Sequence, residues 1–213
     1  MNLKRLQKNM DEKTKKELNS LEVDLLKSYK FPSGGVSVFM FGFFNGNKIL
    51  FIGQNPGRLK VDEDTKYAQF YREKDIDKMR EMYERALKSP AGTIGKFLDK
   101  VSGKDWSDIS FTNVIKNPMV EQFDAHAIDY EYYYRILGTQ INILRPRAIV
   151  AMGTLARAAA MTLGKKYIHV EHPSYLLKNR KFDEGCDELK TKIQKVLSQQ
   201  TLLAGDFHAS NKR

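Results

Sequence analysis

Four short strand-like runs, each separated from the next by helix-patterned chain, constrain the fold of this sequence more than any other feature. The runs are 49–52, closing at Gly53; 109–114; 148–152; and 167–170. Between and after them, helical spacing of apolar residues predicts helices over 75–88, 91–102, 129–144, 154–163 and 183–198. A strand that is apolar along its whole length, as 49–52 and 148–152 are, is buried on both faces. Strands of that kind alternating with helices imply a parallel sheet covered on both sides. Ahead of this core, residues 1–30 read as an exposed charged helix with Leu18, Leu21, Leu25 and Leu26 at helical spacing. Phe31-Pro32-Ser33-Gly34-Gly35 breaks it. The apolar run 36–44 meets the run 48–52 across Asn45-Gly46-Asn47, which is hairpin chemistry. The last stretch, 201–213, is polar and reads as a flexible tail after a single domain spanning 1–200. No internal repeat or low-complexity segment interrupts the pattern.

Charge narrows the class of partner. The chain of 213 residues carries 36 Lys and Arg against 26 Asp and Glu, a formal charge of +10. Such an excess suits a phosphate-rich partner, because cations that displace condensed counterions gain affinity for nucleic acid. Charge alone is equally compatible with a merely basic surface. No apolar run approaches the roughly 20 residues that span a bilayer. The first residues carry charges where a secretory signal would be apolar, so an intracellular, cytoplasmic protein without a membrane partner is expected. The one cysteine, Cys186, excludes an internal disulfide and a cysteine-held cluster or zinc site. His126, His169 and His208 have no ligand partner at useful spacing, and neither metal nor cofactor is expected.

Ligands of open parallel sheets bind beyond the C-terminal ends of the strands, and polar groups collect there in this chain. The first core strand runs into Gly53-Gln54-Asn55-Pro56-Gly57-Arg58, a tight turn open to close backbone approach. Taken alone, that turn reads as structural, with Asn55 chosen for its backbone tolerance. The second strand ends in Thr112-Asn113, the third in Met152-Gly153-Thr154. The fourth is followed by His172-Pro173-Ser174-Tyr175-Leu176-Leu177. Adjacent leucines in a polar loop are either an apolar wedge for a base stack or a cap on the core beneath the last helix.

The ordered set resembles the motifs of the uracil-DNA glycosylase superfamily. Gly53-Gln54-Asn55-Pro56-Gly57 at the first strand, Thr112-Asn113-Val114 in the middle and His172-Pro173-Ser174 at the last carry the likeness, which covers residues 48–198. The resemblance implies a three-layer α/β/α sandwich with a four-stranded parallel sheet, here preceded by the helix and hairpin. It implies an enzyme that flips a nucleotide out of DNA and hydrolyses its glycosidic bond, leaving an abasic site. By position, Asn55 would orient the attacking water. Asn113 would read the Watson–Crick edge of the base. His172 would donate to the base O2 as the leaving anion develops. Gly53, Gln54, Pro56 and Gly57 would wall the pocket. Among Tyr67, Phe70 and Tyr71, Phe70 is the favoured stacking face. Ser174 with neighbouring backbone amides would grip a phosphate, Tyr175, Leu176 and Leu177 would enter the stack, and Lys178 and Arg180, with Lys181, would follow the DNA backbone. A monomer acting on DNA is expected.

Departures from the family pattern sharpen the expectation. The fastest uracil glycosylases carry an aspartate and a Pro-Tyr-His string in the first motif, where this chain has Asn55 and Pro56-Gly57. An amide positions water but does not accept its proton, which predicts a slower enzyme. Thr112 to Lys116 and Tyr175 to Leu177 look like the iron–sulfur branch, whose four cysteines are missing here. The alternatives are a nucleic-acid-binding homologue with weak or no catalysis, and a nucleotide-dependent enzyme. The last lacks both the P-loop and the dinucleotide fingerprint.

Overall fold

The computed structural model describes residues 10–28, 42–54, 69–70, 73–89, 92–116 and 129–210, with residues 200–210 as backbone alone. In chain order its elements are α1 (Glu12–Ser28), β1 (Phe43–Phe44), β2 (Ile49–Gly53), α2 (Ile76–Leu87), α3 (Thr93–Ser102), β3 (Ile109–Asn113), α4 (Tyr130–Leu144), β4 (Ala148–Met152), α5 (Gly153–Thr162), β5 (Ile168–Val170), α6 (Pro173–Lys178) and α7 (Phe182–Ser210).

One sheet organises them, in the order β1-β3-β2-β4-β5. The four strands from β3 to β5 are parallel and in tight register, with Gly53 beside Asn113, Ile52 beside Ala151 and Met152 beside Val170. The expected four-stranded parallel sheet is therefore present, with an antiparallel edge strand added. Strands β2, β3 and β4 are buried at every position, as the continuous apolar runs of β2 and β4 require, and β3 buries Ser110, Thr112 and Asn113 as well. Helices cover both faces. Successive strand residues point to opposite sides. Thr112 meets Gln140 of α4, while Asn113 meets Tyr83 of α2.

Three expectations need correction. The hairpin does not form: β1 pairs antiparallel with β3, Phe43 opposite Phe111, and β2 lies on the far side of β3. Both edges of β2 are taken by β3 and β4, so none is left for β1. The Asn45-Gly46-Asn47 segment instead crosses the start of β3. A β-carbon on Gly46 would stand 2.5 Å from the Ser107 carbonyl oxygen, and the Ser110 hydroxyl donates to the Gly46 carbonyl at 2.5 Å. Helix α1 is not an exposed helix: Leu18, Glu22 and Leu26, one turn apart, are buried. Finally, the helix expected over 183–198 continues to Ser210, into the segment read as a tail.

Local chemistry sets the helix ends. Asp75 and Asp129 accept from the Lys78 and Tyr132 amides and so cap α2 and α4. Gly103, in the left-handed region at φ 70°, ends α3. Among the described residues no helix is long and apolar enough to cross a membrane.

Candidate active site at the strand ends

The C-terminal ends of β3, β2, β4 and β5 lie side by side, so Asn113, Gly53, Gly153 and His172 fall along one edge of the sheet. Two glycines let these residues close on one another. Gly53 has no side chain where the Asn113 amide lies; a β-carbon there would stand 2.5 Å from Asn113 Oδ1 and 3.1 Å from Phe111 Cζ. Gly153, at φ 82°, opens α5 in a backbone conformation that L side chains resist, and its hypothetical β-carbon would touch His172 Cβ at 3.3 Å. The β2 and β3 ends are further joined by backbone bonds, Val114 N–H to Gly53 O and Ile115 N–H to Gln54 O, both 2.9 Å.

Asn113 is buried and donates its side-chain amide to the Tyr83 hydroxyl at 2.6 Å. Burial pushes the Tyr83 phenol far above its usual range, so it stays protonated. An amide nitrogen bears two hydrogens and its oxygen two lone pairs, so Asn113 keeps further hydrogen-bonding capacity after this contact.

His172 caps α6. Its Nδ1 accepts the Ser174 N–H at 3.3 Å, and Pro173 at the first helical position pre-sets the turn. A backbone N–H can only donate, so Nδ1 carries the lone pair and the imidazole proton sits on Nε2. Burial lowers the His172 pKa below its ordinary value, which favours that neutral form. His172 is thus a half-buried imidazole with a defined tautomer and a donor at Nε2.

The segment after His172 is helical, not a loop, and this separates its residues. Tyr175 and Leu177 are 58% and 52% exposed, whereas Leu176 is 6% exposed and seated against Gly185 of α7. At about 100° per residue two adjacent leucines face different ways. Leu176 belongs to the core, which corrects its expected place in a DNA-facing wedge. The backbone amides expected to grip a phosphate are also spent: Ser174 N–H on His172 Nδ1, Tyr175 and Leu176 N–H on the His172 carbonyl. Ser174 itself is exposed, as are Lys178, Arg180 and Lys181 beyond it.

Phe70 is partly buried against the core, with the Lys78 ammonium 5.2 Å from its ring centre. Gln54 is exposed at the end of β2. Asn55, Pro56, Gly57, Tyr67 and Tyr71 lie outside the described residues. A cavity of about 190 Å³ sits behind α6, lined by His169, Glu171, Leu176, Glu188, Leu189 and Lys192. Neither Asn113 nor His172 lines it, so the strand-end cluster is the better place for chemistry. Among the described residues no three of His, Cys, Asp and Glu stand together as metal ligands would.

Tyr83, bonded to the Asn113 amide, and Lys116 and Gln140, bonded to each other and to Thr112, escape a reading of the sequence. Tyr83 shares the inward stripe of Ile76 and Met79 and looks like core. Gln140 and Lys116 are polar residues among apolar neighbours, a local signal that does not say what they touch.

Comparison with known families gives one result over most of the chain. Residues 41–197 match the family model described as the uracil DNA glycosylase superfamily. Among individual curated proteins nothing matches.

Proposed function

The chain belongs to the uracil DNA glycosylase superfamily, and on that premise we propose that it is a monofunctional DNA glycosylase that flips out uracil, and other deaminated or damaged bases, and removes them by hydrolysis. The observation that carries this reading is the imidazole of His172, held neutral with its only proton on Nε2 and set beside Gly153 on the edge that Asn113 shares.

Breaking the bond between base N1 and sugar C1′ leaves the electron pair on the base and positive charge on the sugar. A donor aimed at base O2 stabilises the developing anion, an effect worth about 3–4 kcal/mol for a well-placed group. His172 Nε2–H is that donor. Water adds to C1′, oriented by Asn55, and its proton passes to solvent, since an amide does not take it. Asn113 reads the base through its amide, with Gly53, Gln54, Pro56 and Gly57 as walls and Phe70 as the aromatic face. Outside the pocket, Ser174 Oγ meets a phosphate, exposed Tyr175 and Leu177 enter the stack, and Lys178 and Arg180 follow the backbone. Residues 1–200 are read as one glycosylase-like domain, with residues 41–197 matched to the family, and the active species as a monomer.

The direct test is base release from duplex and single-stranded DNA carrying uracil, hypoxanthine, or G·U and G·T mispairs, read as alkali-labile sites. Release of uracil without added metal is expected. No release from any substrate at high enzyme excess would refute the reading. A binding homologue without turnover is the second reading, favoured by Asn55 in place of a carboxylate and by the engagement of the Asn113 amide with Tyr83; it predicts affinity for DNA and no base release.

A further inference from the structure

Beneath the base-reading end of β3 lies a charged cluster for which the proposed reaction has no use. Lys116, three residues after Asn113, is fully buried. Its Nζ donates to Thr112 Oγ1 at 2.6 Å, to the Asn113 carbonyl at 2.5 Å and to Gln140 Oε1 at 2.7 Å. Three acceptors match the three N–H bonds of an ammonium. A neutral amine has two, and its lone pair would need the Thr112 hydroxyl to turn away from Gln140 and donate to it.

Glu22 of α1, also fully buried, acts on Lys116 through its field and stands 2.8 Å from Arg80 of α2. Burial drives the Lys116 pKa down to about 7 while Glu22 draws it back up. Burial likewise raises the Glu22 pKa, opposed by Arg80 and then Lys116, with Asp77 acting in the same direction as burial. An apolar side chain would fill the Lys116 site without desolvating a charge, so stability alone does not account for a cation there.

Position gives the cation a task. It grips the carbonyl of the residue whose side chain is the base reader. The next two amides, of Val114 and Ile115, hold the Gly53–Gln54 turn. We propose that Lys116 is a positioning residue: its ammonium fixes the backbone from Asn113 to Ile115, and with it both the Asn113 amide and the Gly53–Gln54 turn. The consequence for catalysis rests on the glycosylase reading; the geometry does not.

The test compares wild type with Lys116→Met, which keeps the length of the side chain and removes the charge, and with Glu22→Gln. In Lys116→Met, amide hydrogen exchange at Val114 and Ile115 should quicken while exchange in β4 stays as it was. Single-turnover uracil release should fall by about tenfold to a hundredfold, as expected for a displaced active-site group, with affinity for undamaged duplex unchanged. Wild type should lose rate as pH rises through about 7, where the ammonium gives up its proton. Lys116→Met should show no such loss, and Glu22→Gln should show it at lower pH. Unchanged exchange at Val114 and Ile115, or an alkaline loss identical in all three proteins, overturns the proposal. If Lys116→Met fails to fold, the displaced pH profile of Glu22→Gln decides. If wild type releases no base at all, the glycosylase reading fails, and exchange at Val114 and Ile115 in the two variants decides the role of Lys116 by itself.

Discussion

At the scale of single residues, the site depends on where two side chains are absent as much as on those present. Gly53→Ala would place a β-carbon 2.5 Å from Asn113 Oδ1. Because Asn113 is buried and tied to Tyr83, its amide has little room to yield. Overpacking of this kind costs about 1–3 kcal/mol. The substitution should lower stability by that amount in denaturant titration. It should also reduce discrimination between uracil and other bases in single-turnover release, because the reader and the turn are displaced together. His172 makes a separate prediction. His172→Ala removes the Nε2 donor and should slow base release by about a hundredfold to a thousandfold while affinity for DNA is retained. His172→Gln, which restores an N–H donor, should recover part of the loss. The pH dependence has a definite sign. The native-state pKa of His172 lies below its unfolded value, so its contribution to stability is complete above the ordinary histidine pKa and is lost as pH falls through the native value. Protonation also places a hydrogen on Nδ1 facing the Ser174 N–H, which breaks the cap of α6. Melting temperature and rate should therefore both drop on the acid side, and in His172→Gln that shared drop should vanish.

At the scale of elements, legibility followed the range of the interaction. Strands β2 and β4 were readable because a continuous apolar run reports burial on both faces by itself. The edge strand β1 was not, since Asn45-Gly46-Asn47 is good turn chemistry whether the chain doubles back on β2 or steps across to the far side of β3. Competition for the edges of β2 decides between them, and no local residue records that competition. Helix α6 was hidden for a different reason: six residues opening on Pro173 look like a loop, and only the cap by His172 turns them into a helix. Once it is helical, the two leucines separate and a prediction follows. Leu177→Ala should weaken capture of a flipped base while leaving the melting temperature nearly unchanged, because Leu177 is exposed. Leu176→Ala empties a core position against Gly185 and should cost about 2–5 kcal/mol of stability. Equal effects of the two substitutions on stability would contradict this division. The polar partners at the end of β3 stayed illegible because Tyr83 lies on α2 and Gln140 on α4, and each reaches its partner, Asn113 or Thr112 with Lys116, only in the folded chain.

At the scale of the whole molecule, the family-matched span 41–197 and the physical unit do not coincide. Helix α1 ends at Ser28, before the span begins, yet it buries Leu18 and Leu26 in the common core and pairs Glu22 with Arg80 of α2. Its charged residues made it read as an exposed helix in the sequence, since the buried positions Leu18, Glu22 and Leu26 recur only once per turn. The energetics say otherwise. Full burial of a leucine is worth about 1.5–3 kcal/mol, so the two leucines together contribute a large part of the roughly 5–15 kcal/mol that a domain of this kind has in total. Removing α1 would also leave Arg80, whose side chain is 12% exposed, as a buried cation without its carboxylate, a situation more damaging than loss of the pair as a whole. A chain beginning at residue 41 should therefore melt far below the full protein or fail to fold, as judged by circular dichroism and calorimetry. The paired substitution Glu22→Gln with Arg80→Met, which removes both charges together, should be tolerated much better than Glu22→Gln alone. If the truncated chain retained the stability of the whole, α1 would be an appendage.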